Sequence, residues 1–187
     1  APVPGSNAFA VSDSAGVVVG LSSSGLGFGT EAFRWTPGGG MAGLGFLPTH
    51  LRSQSSDVSA DGSVVAGASY VGLTTWEAFR WTQGGGMQGL GMLPGHDTSG
   101  ASAISADGAT IVGSSLVFLG PPNEAFRWTS ASGMQGLGFL PGHTASTARG
   151  VSGDGSVIVG TSGVGLGSSS PREAFRFEGG VMTGLGF

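Results

Sequence analysis

The stretch Glu77-Ala78-Phe79-Arg80-Trp81-Thr82 decides the fold, because it recurs along the whole chain. It stands intact at 31–36, 77–82 and 124–129, and with one change as Glu173-Ala174-Phe175-Arg176-Phe177. Successive starts lie 46, 47 and 49 residues apart, the period of a small supersecondary unit in a repeat architecture. Strand alternation puts Phe79 and Trp81 on one face and Ala78 and Arg80 on the other.

On its N-terminal side each hexamer is preceded by a β-branched run ending in Gly: Val17-Val18-Val19-Gly20, Val64-Val65-Ala66-Gly67, Thr110-Ile111-Val112-Gly113 and Val157-Ile158-Val159-Gly160. Such runs favour strands buried on both faces. Before them comes a small-residue strand (Ser55–Ser59 in the second unit) and a tight turn, Asp61-Gly62, Asp107-Gly108 or Asp154-Gly155. Asp-Gly between two strand-like segments signals a hairpin, since Gly accepts the positive φ of the turn. The first unit has Asp13-Ser14-Ala15 instead, which predicts an irregular turn. On the C-terminal side a Gly-rich turn leads to a fourth segment with a Gly-Leu-Gly core, read as one packed Leu between points of close backbone approach.

No segment has helical periodicity, so each unit reads as a four-stranded antiparallel meander. The fold class is all-β: a four-bladed β-propeller of four-stranded antiparallel blades, with a β-solenoid-like stack as the alternative. Residues 1–187 form a single repeat domain, with repeats at about 1–46, 47–92, 93–139 and 140–187. Small residues in each first strand suit the crowded axis of a ring.

The composition narrows the partners. Of 187 residues 39 are Gly and only 10% are charged, against about 25% in an ordinary domain. Lys is absent and the net charge is −4. Without a basic run to neutralise phosphates, nucleic acid is excluded as a partner. There is no Cys, hence no disulfide, thiol chemistry or Cys-based metal site. No apolar run approaches the roughly 20 residues that span a bilayer, so membrane insertion is not expected. Ala1-Pro2-Val3-Pro4 reads as a mature end left by signal peptidase.

Phe33-Arg34-Trp35-Thr36, Gly84-Gly85-Gly86-Met87, Gly89-Leu90-Gly91, Leu93-Pro94-Gly95 and Ser59-Ala60-Asp61-Gly62 together resemble the HAF-type extracellular repeat. The resemblance covers essentially the whole chain and implies a secreted or cell-surface bacterial protein, with no settled activity to carry over. The family is named for His-Ala-Phe, whereas Glu31, Glu77, Glu124 and Glu173 hold that position in this sequence.

Several residues invite a chemical reading. Arg34, Arg80, Arg127 and Arg176 suggest either a ring of anion-binding groups or structural ion pairs with Asp61, Asp107 and Asp154. The ion pairs are preferred, because Arg that packs between blades needs a bidentate partner. His50, His96 and His143 share one position in the turn after the fourth strand. Three imidazoles suit zinc or copper, but a solvated turn His is the simpler reading, and no cofactor is expected. Asp57, Asp97 and Glu178 fall outside the repeat and would have to converge to form a hydrolytic pair. In the variable loops between second and third strands, Tyr70, Trp76, Phe28 and Phe118 are candidate ligand-binding aromatics.

The function expected from these features is a non-enzymatic, secreted structural protein. It self-associates as a homo-oligomer or polymer in a surface layer, sheath or extracellular filament, on grounds of low charge and apolar loops. The alternatives are a glycan-binding adhesion module and a polysaccharide-cleaving enzyme.

Overall fold

The computed structural model describes all residues except 1–4, 15, 24–28, 119, 166–170 and 187, and the side chain of Pro121. Its strands fall into four groups: β1 (Ser6–Val11), β2 (Val18–Ser23), β3 (Thr30–Thr36) and β4 (Gly40–Gly43); then β5 (Arg52–Val58), β6 (Val64–Tyr70), β7 (Trp76–Thr82) and β8 (Gly86–Gly89). The third group is β9 (Thr98–Ile104), β10 (Thr110–Val117), β11 (Gly120–Thr129) and β12 (Gly133–Gly136), and the fourth is β13 (Ala145–Val151), β14 (Val157–Gly163), β15 (Arg172–Glu178) and β16 (Val181–Gly184). Within each group the strands pair antiparallel in sequence order. One parallel bridge, Asn123 with Ala145, links the third and fourth groups. These are four β-propeller blades, as the repeat count predicts, and not the rungs of a solenoid.

The hairpin turns form as the Asp-Gly pairs require. Gly62 takes φ +73°, and the Ser59 and Val64 backbones close the hairpin. In the first unit Ala15 lies outside the described residues, and Gly16 supplies the positive φ, +58°.

Blades pack face to face through three apolar cores. The first joins Val19, Ala32, Leu44 and Leu47 to Val58, Val65 and Phe79, with Trp81 and Met87 against it. The second joins Ala66, Ala78 and Leu90 to Ile104, Ile111 and Phe126, and the third joins Val112 and Ala125 to Ile158 and Phe175. The alternation of the hexamer therefore has a direct outcome: Phe79 and Trp81 face the preceding blade, and Ala78 faces the following one. The β-branched runs are buried from both sides for the same reason.

Polar groups repeat with the same period. Ser53 Oγ accepts the Ala32 N–H at 2.9 Å and donates to the Gly45 carbonyl at 2.6 Å. Ser99 does the same with Ala78 and Gly91, and Ser146 with Ala125 and Gly138. Each of these serines lies on the first strand of one blade and satisfies backbone groups of the blade before it, which buried amides and carbonyls demand. A second ladder runs through the hairpin turns: Ser14 N–H to Ala60 O, Ala60 N–H to Ala106 O, and Ala106 N–H to Gly153 O, each 3.0 Å.

The repeat Glu has a local role. Glu77 Oε1 accepts the Gly91 N–H at 2.9 Å, and its carboxylate fills the space where a Cβ on Gly89 would lie. Glu31, Glu124 and Glu173 hold Gly45, Gly138 and Gly186 in the same way. The Gly-Leu-Gly core therefore makes room for a carboxylate, where the sequence suggested a close backbone.

Candidate functional site

The second blade departs from its siblings where the β6–β7 loop begins and ends. Tyr70 closes β6 and Trp76 opens β7, paired in register across the hairpin, while Arg52 pairs with Tyr70 from β5. The corresponding partners in the first blade are Ser23 and Thr30, so nothing in the repeat itself calls for aromatics here.

The two rings stand 6.1 Å apart between centroids, tilted by 37°. The Arg52 guanidinium lies 5.7 Å from the Tyr70 ring centroid, within cation–π range, and Arg52 Nη2 donates to the Gly72 carbonyl. Gln54 is two residues along the same strand and so on the same face. Together with Leu73, which is 86% exposed, and Thr30 from the first blade, these residues line one open hollow. Trp76 also reaches the third blade, where Gly100 leaves space beside its indole nitrogen. Burial raises the Tyr70 phenol above its usual value, and the Arg52 charge works against that rise. Two aromatic faces, a guanidinium and an amide thus converge on one solvent-facing surface.

Of the aromatics singled out in the sequence, Tyr70 and Trp76 are the two brought together among the described residues. Phe118 is exposed at the end of β10, its N–H bonded to Asp97 Oδ2 at 3.1 Å, and it does not line the hollow. Phe28 lies outside the described residues. Arg52 and Gln54 were missed because they sit in a first strand read as small and axial. The signal that could have found them is their bulk beside Ser53, Ser55 and Ser56 in the same strand.

The Arg–Asp ion pairs are not made, and Arg34, Arg80, Arg127, Asp61, Asp107 and Asp154 need another account. Each Asp is occupied inside its own turn. Asp61 Oδ1 accepts from Ser59 Oγ at 2.7 Å and from the Ser63 N–H at 2.9 Å, and Asp107 and Asp154 repeat the pattern with Ser105 and Ser152. Arg34 Nε reaches the same turn through its carbonyl, Gly62 O, at 3.0 Å. Arg176 pairs instead with Glu178, two residues along its own strand, and both are about half exposed. Such a pair contributes little to stability.

These turns define a titration. The Ser59 hydroxyl, aided by the Ser63 amide, lowers the Asp61 carboxyl from 3.8 to about 2. A depressed folded value means stability that is present above about pH 4, the unfolded value, and lost as pH falls toward 2. Carbon-detected NMR titration is expected to place Asp61 near 2, and Ser59→Ala to move it back toward 3.8. An unchanged midpoint in that variant would mean that the hydroxyl is not the cause.

His50, His96 and His143 each sit half-buried at a separate blade junction. His143 Nδ1 lies 3.1 Å from Ser162 Oγ, whereas His50 Nδ1 and His96 Nδ1 are shielded without a hydrogen-bond partner. The solvated turn His of the sequence reading is thus only partly exposed. No three metal-ligating side chains come together among the described residues. Asp57, Asp97 and Glu178 are also held apart. Asp57 bridges to the Ile104 N–H of the third blade at 3.0 Å, with burial raising its pKa, while Asp97 caps the loop at Phe118 and Glu178 pairs with Arg176.

No family model matches the chain, and no curated protein matches it in sequence. Solved structures do resemble it. TolB of Acinetobacter baumannii superposes with a TM-score of 0.65 at 14% identity, over 98% of this chain and 44% of its own. A protein described as TolB of Agrobacterium tumefaciens gives 0.58 at 12% identity, over 94% and 68%. A prolyl endopeptidase gives 0.61 at 16% identity, over 96% and 28%. The chain spans less than half the length of the Acinetobacter protein. These neighbours overturn the expectation of a structural protein that builds a layer, sheath or filament. They are TolB proteins and a peptidase, an enzyme among them, and none supports a self-assembling structural role. At these identities the likeness speaks to architecture: the chain is a β-propeller protein.

Proposed function

We propose that the protein is a ligand-binding β-propeller whose second blade carries the binding site, and that the ligand is a saccharide. The carrying observation is the convergence of Tyr70 and Trp76 with Arg52 and Gln54 on one open hollow. A sugar ring has an apolar C–H face and a polar rim. Tilted aromatics offer a surface for the first, and a guanidinium and an amide offer hydrogen bonds to the second. The repeat supplies a rigid scaffold, and the departures from it supply the site. A location outside the cytoplasm, extracellular or at the cell surface, belongs to this proposal, since saccharide polymers are met there. The site is assigned to binding and not to turnover, because the non-repeat carboxylates Asp57, Asp97 and Glu178 do not converge on it.

A glycan array followed by calorimetry tests the proposal. Binding is expected in the wild type, weakened about tenfold or more by Trp76→Ala, on the order of 1.4 kcal/mol. Phe118→Ala should leave it unchanged. Silence across the array, or binding indifferent to Trp76, would overturn it.

A further inference from the structure

The hollow beside Tyr70 and Trp76 has a counterpart two blades further on. Asn123 precedes the repeat Glu of the third blade as Thr30 precedes that of the first. Arg172 faces Gly163 across the hairpin of the fourth blade as Trp76 faces Tyr70. Ala145 and Thr147 hold on β13 the positions that Arg52 and Gln54 hold on β5. These residues line a second hollow, at the junction of the third and fourth blades and at the same end of the strands. It is the smaller of the two, about 240 Å³ against about 850 Å³, and among the described residues no aromatic lines it. Between the two, Trp76 reaches Gly100 at the junction of the second and third blades.

The hollows share a sign of charge. Arg52 lines the first and Arg172 the second, and among the described residues no Asp or Glu lines either. The chain as a whole is the reverse, with 11 acidic residues against seven Arg. Four of those Arg belong to the repeat hexamer, so two of the other three stand in these hollows. Each repeat Glu follows a lining residue in sequence, yet its carboxylate is turned to the N–H of Gly45, Gly91, Gly138 or Gly186. Asp97, at this end of the third blade, is turned to the Phe118 N–H. The Arg52 guanidinium is also held in place, by the Tyr70 ring and the Gly72 carbonyl. That carbonyl takes one of its five N–H groups, and the remainder suit the paired oxygens of an acid group.

We propose that the saccharide is an acidic chain, carrying carboxylate or sulfate groups, and that it lies along this end of the blades with one acid group at Arg52 and another at Arg172. This rests on the reading of the first hollow as a saccharide site. The aromatic pair holds a sugar ring there, and the smaller, aromatic-free second hollow takes a charged substituent. A single sugar cannot occupy hollows two blades apart. A chain held at the first is presented to the second at high effective concentration, so affinity grows with length. Because both contacts are between charges near solvent, salt weakens them.

Calorimetry with three oligosaccharides of matched length tests this: a neutral glucan, a uronate oligomer and a sulfated glucan. At least one acidic oligomer is expected to bind about tenfold or more tighter than the neutral one, with the advantage shrinking as salt is raised. Whichever acid binds tighter identifies the group. Arg52→Gln should remove most of the advantage, and Arg172→Gln should weaken the acidic oligomer by a factor that grows with its length. Arg172 is exposed, so its variant should keep the wild-type circular dichroism. Equal affinity for neutral and acidic oligomers, still lost in Trp76→Ala, would overturn the acidic chain and leave the saccharide site standing. Acidic binding indifferent to both Arg variants would also overturn it. Failure of all three to bind would overturn both readings.

Discussion

Gly67→Ala is expected to lower stability by about 3 kcal/mol or more, the upper range for overpacking a closed site. A Cβ at this position would run into the Gln54 carbonyl oxygen and press on the Phe79 ring and the Ser55 backbone. The cause lies in the neighbouring strand. The β5–β6 register shifts between Ser55 and Asp57, a bulge that brings the β5 backbone over Gly67. Gly20, Gly113 and Gly160 face the same obstruction from Asn7, Gly100 and Thr147. Neither side can yield cheaply, because the obstacle is backbone inside a paired sheet. Gly84→Ala is the control: it has open space around it and should change little. Chemical denaturation of the two variants checks the contrast, and equal small losses would show that the bulge does not hold β5 against β6.

Ser99→Ala is expected to cost up to about 3 kcal/mol, although it removes a single oxygen atom. The fully buried hydroxyl accepts from the Ala78 N–H at 3.0 Å and donates to the Gly91 carbonyl at 2.6 Å. Its loss leaves the buried Ala78 N–H unpaired between the second and third blades, at up to roughly 3 kcal/mol, and withdraws the donor from the Gly91 carbonyl, whose residue is exposed. A loss below about 0.5 kcal/mol, the scale of an ordinary surface change, would show that water replaces the hydroxyl and that the blades do not depend on the serine. Hydrogen exchange at the Ala78 amide gives an independent reading, with faster exchange expected in the variant.

The strands and their faces could be read from the sequence because their causes are local. Val64-Val65-Ala66-Gly67 followed by Glu77–Thr82 carries its own periodicity, and Asp61-Gly62 its own turn. The serines could not be read in this way. Ser53 acts on Ala32 and Gly45, which belong to another blade, and no spacing within one unit names that partner. The first strand looked small because the axis is crowded, and the structure adds that its serines are the fastening. The Arg–Asp pairing failed for a related reason. Composition shows which charges are available, yet Asp61 is claimed by the hydroxyl two residues away before any Arg can reach it. At the candidate site, Tyr70 and Trp76 were visible as loop aromatics. Arg52 and Gln54 join them only once the strand register is fixed.

The most direct measurement is the indole N–H spectrum of the protein during titration with a saccharide selected by the array. There are four tryptophans. Trp81 and Trp128 pack into blade junctions, Trp35 holds the same place in the first blade, and Trp76 alone lines the hollow. Expected is a saturable shift of the Trp76 signal with the other three unmoved. A shift confined to Trp35, Trp81 or Trp128, or a Trp76 signal that stays in place while binding is seen by calorimetry, would contradict the assignment of the site.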